Sequence, residues 1–493
     1  MKKVSSVGWD VVYLTGSKFL VALIGLVSSM LLARFRTLDE YGTYSQLIMI
    51  INLLCSLLLL GIPNSVSYFL AKANTEQDKQ KFLSVYITLC TLLSVIIGIS
   101  LYISIPMIIV YFDNPMIESF AYVFGVYPWS SIMISSISNT CIVYGKAKKL
   151  IFYNFANAVI TLSLILIAKM LGWSFQVYMQ MYMLSLLLFA CIGLGWIKSF
   201  VGKMKLCMDW LLIREIINFS LPMGLASIVG TLNVELDKLI IGGFFSTDEY
   251  AIFANAAKEM PITIVTVSLT AVLLPQMVKM FKNQNISGAI EMWGYTIELS
   301  LCFMCFIVGI FLVFSQDIIS FLYSEKYVTV DSVIIFRIYS SILLFRAIYW
   351  GIVLNASGKT KFIFYSSIIT LLFNVVGNIF FYYILGFIGP AVSTFLVTAV
   401  MAYIQLKFTA SVIKKSIKDF FPWKNVLKLI VEMIIFCFLF AAIKCLIGEF
   451  ERTISIIISV GLSFIWFIGH LIINYKRIKY NWRYLNSYKY ECK

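Results

Sequence analysis

"NVELDKLIIGGFFSTDEYAIF" (233–253) carries Glu235, Asp237 and Lys238 in a run otherwise apolar enough to cross a bilayer. Its end, "DEYAIF" (248–253), nearly repeats "DEYGTY" (39–44) from the other half of the chain. A membrane helix with three charges, leaving through a loop that occurs twice, sets the two questions of this sequence: what the charges meet, and what is duplicated.

The surrounding composition fixes the class. Of 493 residues 61% are hydrophobic and only 13% charged, and the mean hydropathy is +0.91. Soluble chains carry roughly twice that share of charge. Apolar runs recur from end to end, each long enough for a hydrocarbon core about 30 Å thick, and the short alternating segments of a membrane barrel are missing. The chain reads as an all-α polytopic membrane protein with about fourteen spans, near 11–33, 44–69, 82–110, 117–143, 151–170, 174–197, 216–244, 250–278, 290–314, 331–355, 362–383, 386–406, 426–447 and 453–474. The first run is too long for a signal peptide and reads as an uncleaved anchor.

The net charge of +15 raises the question of nucleic acid, and its placement answers it. Most Lys and Arg residues fall in alternate loops: "KANTEQDKQK", "GKAKK", "KSFVGKMK", "KMFKN", "GKTK", "KKSIKDFFPWK" and the tail. The intervening loops hold Arg34, Arg36, Lys169, Lys326 and Arg452. That asymmetry is the positive-inside rule and predicts both termini in the cytoplasm. The basic charge is topology, and nucleic acid is excluded as a partner.

The repeat extends beyond "DEY". "PNSVSYF" (63–69) answers "PQMVKMF" (275–281), "YGKAKKLIFYN" (144–154) answers "SGKTKFIFYSS" (357–367), and "LGW" (171–173) answers "LGF" (385–387). Four collinear markers about 210 residues apart indicate duplication. The predicted units are a six-helix bundle over 1–205, its repeat over 206–410, accessory helices 13 and 14 over 411–474, and a basic tail over 475–493 lying on the inner leaflet. An even number of spans per copy gives parallel repeats about an axis along the membrane normal.

At these residues the chain resembles the polysaccharide transporters of the multidrug/oligosaccharidyl-lipid/polysaccharide (MOP) exporter superfamily, and in particular the Wzx-type O-antigen flippases. "LLARFRTLDEYGTYS" (31–45), "LDKLIIGGFFSTDEYAIFANAAKEMP" (236–261), "GKAK" and "GKTK" carry the resemblance. It implies two six-helix bundles in a V, like drug exporters and the peptidoglycan-precursor flippase, plus two accessory helices. The implied task is to move an undecaprenyl-diphosphate-linked oligosaccharide, an O-antigen or capsule repeat unit, across the cytoplasmic (inner) membrane. Implied partners are that lipid-linked sugar, membrane lipids, and polysaccharide polymerase and chain-length proteins.

Such a substrate needs cations for its diphosphate and polar or aromatic lining for its sugars. A mid-helix charge costs about 2.5–3.5 kcal/mol on insertion scales, so buried charges are informative. The cationic candidates are Lys18, Lys258, Arg346, Lys238 and Arg337. At 1.5 Å per residue, Lys18 and Arg346 lie roughly 10 Å from the cytoplasmic side, and the other three roughly 9–12 Å from the outer side. Structural pairing competes with this reading. Glu235 and Lys238 are i,i+3 neighbours, and Arg337 and Arg346, nine residues apart, face opposite ways on an unkinked helix. Lys444, near the end of its span, reads as snorkelling.

Glu235, Asp237, Glu259 and Glu298 are candidates for coupling to a proton or sodium gradient, and the membrane potential is a third driving force. No cofactor or metal is expected; Cys302 and Cys305, a buried C-x-x-C, read as apolar packing. No catalytic residues are assigned, because the outward loops are short and no Walker motif occurs. The alternatives are a cation-coupled multidrug exporter, a peptidoglycan-precursor flippase and, further off, a membrane glycosyltransferase or polymerase.

Overall fold

The computed structural model describes residues 4–202, 204–258, 261–448 and 451–487, and every regular element among them is helical. The first six predicted spans correspond to α1 (Val4–Phe35), α2 (Leu38–Leu59), α3 (Glu76–Ile103), α4 (Tyr122–Val143), α5 (Ala147–Met170) and α6 (Phe175–Val201). Then come α7 (Trp210–Phe244), α8 (Thr247–Ala256), α9 (Ile264–Lys282), α10 (Ile286–Val313), α11 (Val330–Arg346) and α12 (Ile352–Ala356). The chain continues with α13 (Lys361–Leu385), α14 (Gly389–Ile413), α15 (Trp423–Ile447) and α16 (Arg452–Ser487). Nine stretches among the described residues are long and apolar enough to cross a membrane, one of which, 361–413, contains both α13 and α14. The all-α polytopic architecture is the one the hydropathy pattern requires.

Five spans that read as continuous are interrupted, 82–110 at Ser104, 117–143 at Phe120 and Ala121, and three others as follows. The predicted 44–69 span breaks at Leu60 and Gly61, both left-handed, before a 3-10 turn (Ile62–Asn64) and a short helix (Ser65–Lys72). The predicted 250–278 span ends its first helix at Ala256 and resumes at the turn Pro261–Thr263, Pro261 lacking the N–H that a continuous helix needs. The predicted 331–355 span stops at Arg346 and resumes at Ile352. Hydropathy averages over such breaks because the runs on either side of them are apolar. At the other end, residues 475–487 continue α16 instead of forming a separate surface segment. No Gly or Pro interrupts that stretch, and Asn474 and Asn481 on it are bonded to acids on neighbouring helices.

The duplicated loop is a duplicated helix start. Thr37 caps α2: its Oγ1 accepts the Glu40 N–H and its own N–H donates to the Glu40 carboxylate, both at 3.2 Å. Ser246 does the same for α8, with Glu249 N–H donating at 3.3 Å and the Ser246 N–H returning to the Glu249 carboxylate at 2.9 Å. This reciprocal capping box satisfies orphan amides at a helix start. It is why "TLDEY" and "STDEY" carry a hydroxyl and a Glu three residues apart.

The chain forms two compact units, Met1–Ala254 and Asn255–Lys493. The first includes α7, which the repeat assigns to the second copy. A close backbone crossing explains this. A Cβ on Gly224 would lie 2.2 Å from the carbonyl carbon of Leu60, and one on Gly61 2.7 Å from the Gly224 nitrogen. Two glycines, one at φ +72°, let α7 pass the end of α2 at backbone distance. Tyr111 Oη donating to Leu239 O at 3.0 Å and the ion pairs Lys72–Glu215 (2.7 Å) and Lys81–Asp209 (2.6 Å) hold the rest of α7.

In the second unit the accessory helices α15 and α16 are fastened by two buried acids, Glu298 and Asp317, and the partly buried Glu432. Glu298 on α10 accepts from Asn425 and, at 3.0 Å, from Asn481. Glu432 on α15 accepts from Asn474 and lies 3.1 Å from His470 Nδ1; His470 Nε2 is 2.9 Å from the Cys302 carbonyl oxygen. Asp317, in the helix Ser315–Tyr323, pairs with Lys444 and accepts from Ser455 at 2.9 Å and Ser459 at 2.6 Å. Lys444 therefore does not snorkel; it answers a buried carboxylate.

Candidate functional site

The three charges of the opening stretch lie within the first unit. Lys238 Nζ meets Glu235 Oε2 at 2.7 Å, the i,i+3 pair that helix geometry favours. Asp237 is 2% exposed and accepts the Lys238 backbone N–H at 3.0 Å. Tyr250, from the repeated loop and fully buried, lies close enough to Glu235 and Asp237 to feel both charges. The motif and its exit loop thus pack as one knot.

The same unit gathers an aromatic surface that sequence reasoning missed. Tyr44 on α2, Tyr127 on α4, and Tyr178 and Tyr182 on α6 converge. The Tyr178 and Tyr182 rings lie parallel at 6.1 Å, and Tyr44 is 6.4 Å from Tyr182. Tyr44 and Tyr182 are half-buried. Beside them Asn114 Nδ2 donates to Thr43 Oγ1 (2.9 Å) and Gln46 Oε1 (2.7 Å). The half-buried Tyr44 and Tyr182 rings suit the C–H faces of pyranose rings, while the buried Tyr178, Asn114, Thr43 and Gln46 hold them in place. The available signal was the use of Tyr at i,i+4 (178, 182) inside an apolar span, where Phe would satisfy packing alone.

In the second unit, cations sit at the helix breaks. Lys258 follows the end of α8, its N–H donating to Asn255 O at 3.2 Å. Its side chain lines a small cavity with Ala256, Phe311 on α10, and Phe336, Tyr339, Ser340 and Leu343 on α11. One turn earlier Asn255 is 1% exposed, and neither of its amide atoms has a hydrogen-bond partner among the described residues. Such an orphan is rare, because an unpaired buried polar group costs roughly 1–3 kcal/mol. Arg346 is half-buried in the last turn of α11, where the next break begins; the helix dipole favours a cation there.

Arg337 has a different neighbourhood. It is exposed and donates from Nε to Leu312 O (3.0 Å) and Ser315 Oγ (2.9 Å), tying α11 to the end of α10. Helix α11 runs unbroken from 337 to 346, so the two arginines point to opposite sides. Lys18 lies on α1, but its side chain is outside the described residues, as is Glu259 altogether. Glu298 is engaged by the accessory helices, as described above.

Comparison with known proteins gives the arrangement its family. The family model described as "Polysaccharide biosynthesis protein" matches residues 31–332. Among solved structures, the lipid II flippase MurJ in an inward closed conformation superimposes with a TM-score of 0.74 at 18% identity, covering 95% of this chain and all of that one. A multidrug resistance MATE transporter of the MOP superfamily, inward-facing, gives 0.62 at 16% identity over 80% of this chain and 96% of that one. A MOP superfamily transporter from Pyrococcus furiosus gives 0.54 at 13% identity over 82% and 95%. No curated protein sequence matches significantly. At these identities the structures establish the fold, and the family model establishes membership: this chain belongs to the polysaccharide biosynthesis protein family and has the fold of the MOP superfamily.

Proposed function

We propose that this protein is a flippase that moves an undecaprenyl-diphosphate-linked oligosaccharide, such as an O-antigen or capsule repeat unit, from the cytoplasmic to the outer leaflet of the cytoplasmic membrane. Both termini are cytoplasmic in this reading. The observation that carries it is the break after α8. There the Lys258 N–H donates to the Asn255 carbonyl, and the buried Asn255 side-chain amide has no hydrogen-bond partner among the described residues. Membrane transporters build substrate sites from discontinuous helices, because freed backbone and charge are tolerated only where they line a path. Lys258 and Arg346, both of the second unit, supply the charge a diphosphate needs.

A cation-coupled drug exporter of the same superfamily is favoured less. It needs buried carboxylates available to an ion, and in the second unit Glu298 and Asp317 are each bonded to the accessory helices, while Asp237 of the first unit accepts a backbone N–H. A peptidoglycan precursor shares the lipid diphosphate and differs in its sugars, so the substrate itself decides.

The test is the leaflet distribution of lipid-linked sugar in cells lacking the protein, read with an external probe that labels only outward-facing glycan. Accumulation on the cytoplasmic face is expected, relieved by the wild type and by Lys258→Arg, but not by Lys258→Ala with Arg346→Ala. Full rescue by the double alanine variant rejects the cationic site. An unchanged distribution in the deletion rejects the flippase.

A further inference from the structure

The first unit carries a second cationic cavity, where the ends of α1 and α5 meet. Positive charge is scarce at this end of the bundle: Arg34, Arg36, Lys169, Lys326 and Arg452 are all that the charge pattern leaves there. Arg36 and Lys169 converge, from the ends of α1 and α5, on one cavity of about 170 Å³. Leu32, Phe35, Ile165, Ala168, Gly172, Trp173 and Tyr178 complete its walls.

The site is built, not incidental. Arg36 donates from a terminal nitrogen to the Trp173 carbonyl at 2.9 Å, and its guanidinium carbon lies 5.3 Å from the Tyr178 ring centre and 5.9 Å from that of Phe175. A guanidinium so held is pre-oriented, which lowers the cost of engaging an anion. Lys169 Nζ lies 5.5 Å from the Phe35 ring centre, extended over the opposite wall and exposed. Just outside the mouth, Met170 and Leu171 are 84% and 65% exposed, and Leu166 and Ile167 are also bare. The cavity therefore joins a cationic pocket to an apolar surface suited to acyl chains.

Size decides between ligands. Sites for drug-sized molecules run about 300–1,000 Å³, so this cavity is too small for an oligosaccharide and suits a phosphate with its first attached carbons. We infer that it binds the phosphodiester headgroup of an anionic phospholipid, Arg36 and Lys169 sharing the phosphate while Trp173 and Tyr178 sit at the headgroup level, where interfacial aromatics are stable. The inference does not rest on what the protein transports, although the cavity shares Tyr178 with the tyrosine cluster described above.

Trp173 provides a local reporter. Purified full-length protein, stripped of lipid in detergent, is titrated with phosphatidylglycerol brominated on its acyl chains. The quenching specific to Trp173 is taken as the difference between wild type and Trp173→Phe. Saturable quenching is expected, with the half-quenching concentration raised about tenfold in Lys169→Gln and in Arg36→Gln, the loss of one charge-assisted contact each. Unbrominated phosphatidylglycerol should compete, and phosphatidylcholine and inorganic phosphate should not. Unchanged half-quenching in Lys169→Gln overturns the site, as does equal competition by phosphatidylcholine. Equal competition by inorganic phosphate overturns the lipid assignment in favour of a soluble phosphate. Should Arg36→Gln fail to fold, Lys169→Gln, an exposed position, decides alone.

Discussion

Two Gly→Ala substitutions in one helix, at 224 and 230, should move stability in opposite directions. At Gly224 an added Cβ would stand 2.2 Å from the Leu60 carbonyl carbon, 2.3 Å from its oxygen and 2.7 Å from its Cα. Ordinary contact begins near 3.4 Å, so α7 must retreat by about an ångström, or the Leu60–Gly61 turn must deform. All three obstructing atoms are backbone, so no side chain can rotate aside. Overpacking of this kind costs about 1–3 kcal/mol. At Gly230, six residues along the same helix, nothing lies within 4 Å of the new Cβ. There only the entropy gain remains, about 0.5–1 kcal/mol in favour of Ala. With roughly 2–4 °C per kcal/mol for a unit of this size, Gly224→Ala should lower the unfolding midpoint by about 2–12 °C, and Gly230→Ala should raise it by about 1–4 °C. The assay is thermal unfolding of the purified protein in lipid nanodiscs. A neutral or stabilising Gly224→Ala would refute the backbone crossing, and with it the reason α7 belongs to the first unit.

The accessory helices and the paired loops give two further tests. Asp317→Asn keeps the shape of the acceptor but leaves Lys444 without its counter-charge; because that lysine is partly exposed, the cost should be about 1–3 kcal/mol rather than the 3–5 of a fully buried pair. A double-mutant cycle with Lys444→Met, read by thermal unfolding, should return a coupling of about 1–2 kcal/mol; independent effects would mean that Asp317 is held by Ser455 and Ser459 alone. At the repeated loops, outside the predicted spans, burial and then the neighbouring Asp39 carboxyl, with Glu249 nearby, raise the pKa of Asp248 above its usual 3.8. The folded state then binds protons more readily than the unfolded chain, so stability should fall as pH rises from that value through the raised one. Asp248→Asn should flatten this slope and leave the protein more stable at neutral pH, as followed by unfolding between pH 4 and 8; an unchanged slope would remove the carboxyl pair as its source.

The sequence by itself determined the class, the approximate spans and the charge asymmetry, because each rests on local chemistry summed over short windows. Hydrophobic length sets whether a helix can cross, and a capping box is written in four consecutive residues, which is why "TLDEY" and "STDEY" were legible as one device used twice. The Glu235–Lys238 pair was legible for the same reason, since its partners share a helix face. Tertiary structure decided what depends on distant approach. Glycines at 61 and 224 look alike in sequence to glycines at 230 or 461, and only the crossing of two backbones makes them indispensable. The breaks after Ala256 and after Arg346 hide in apolar runs. Asn425, Asn474 and Asn481 are ordinary polar residues until the fold sets them against Glu298 and Glu432. Tyr44, Tyr127 and Tyr182 lie far apart along the chain, as do Arg36 and Lys169, and a composition cannot say that they meet. Burying a charge or an amide costs free energy whose compensation comes from whichever helix packs beside it, and that neighbour is set by the fold rather than by the residues on either side.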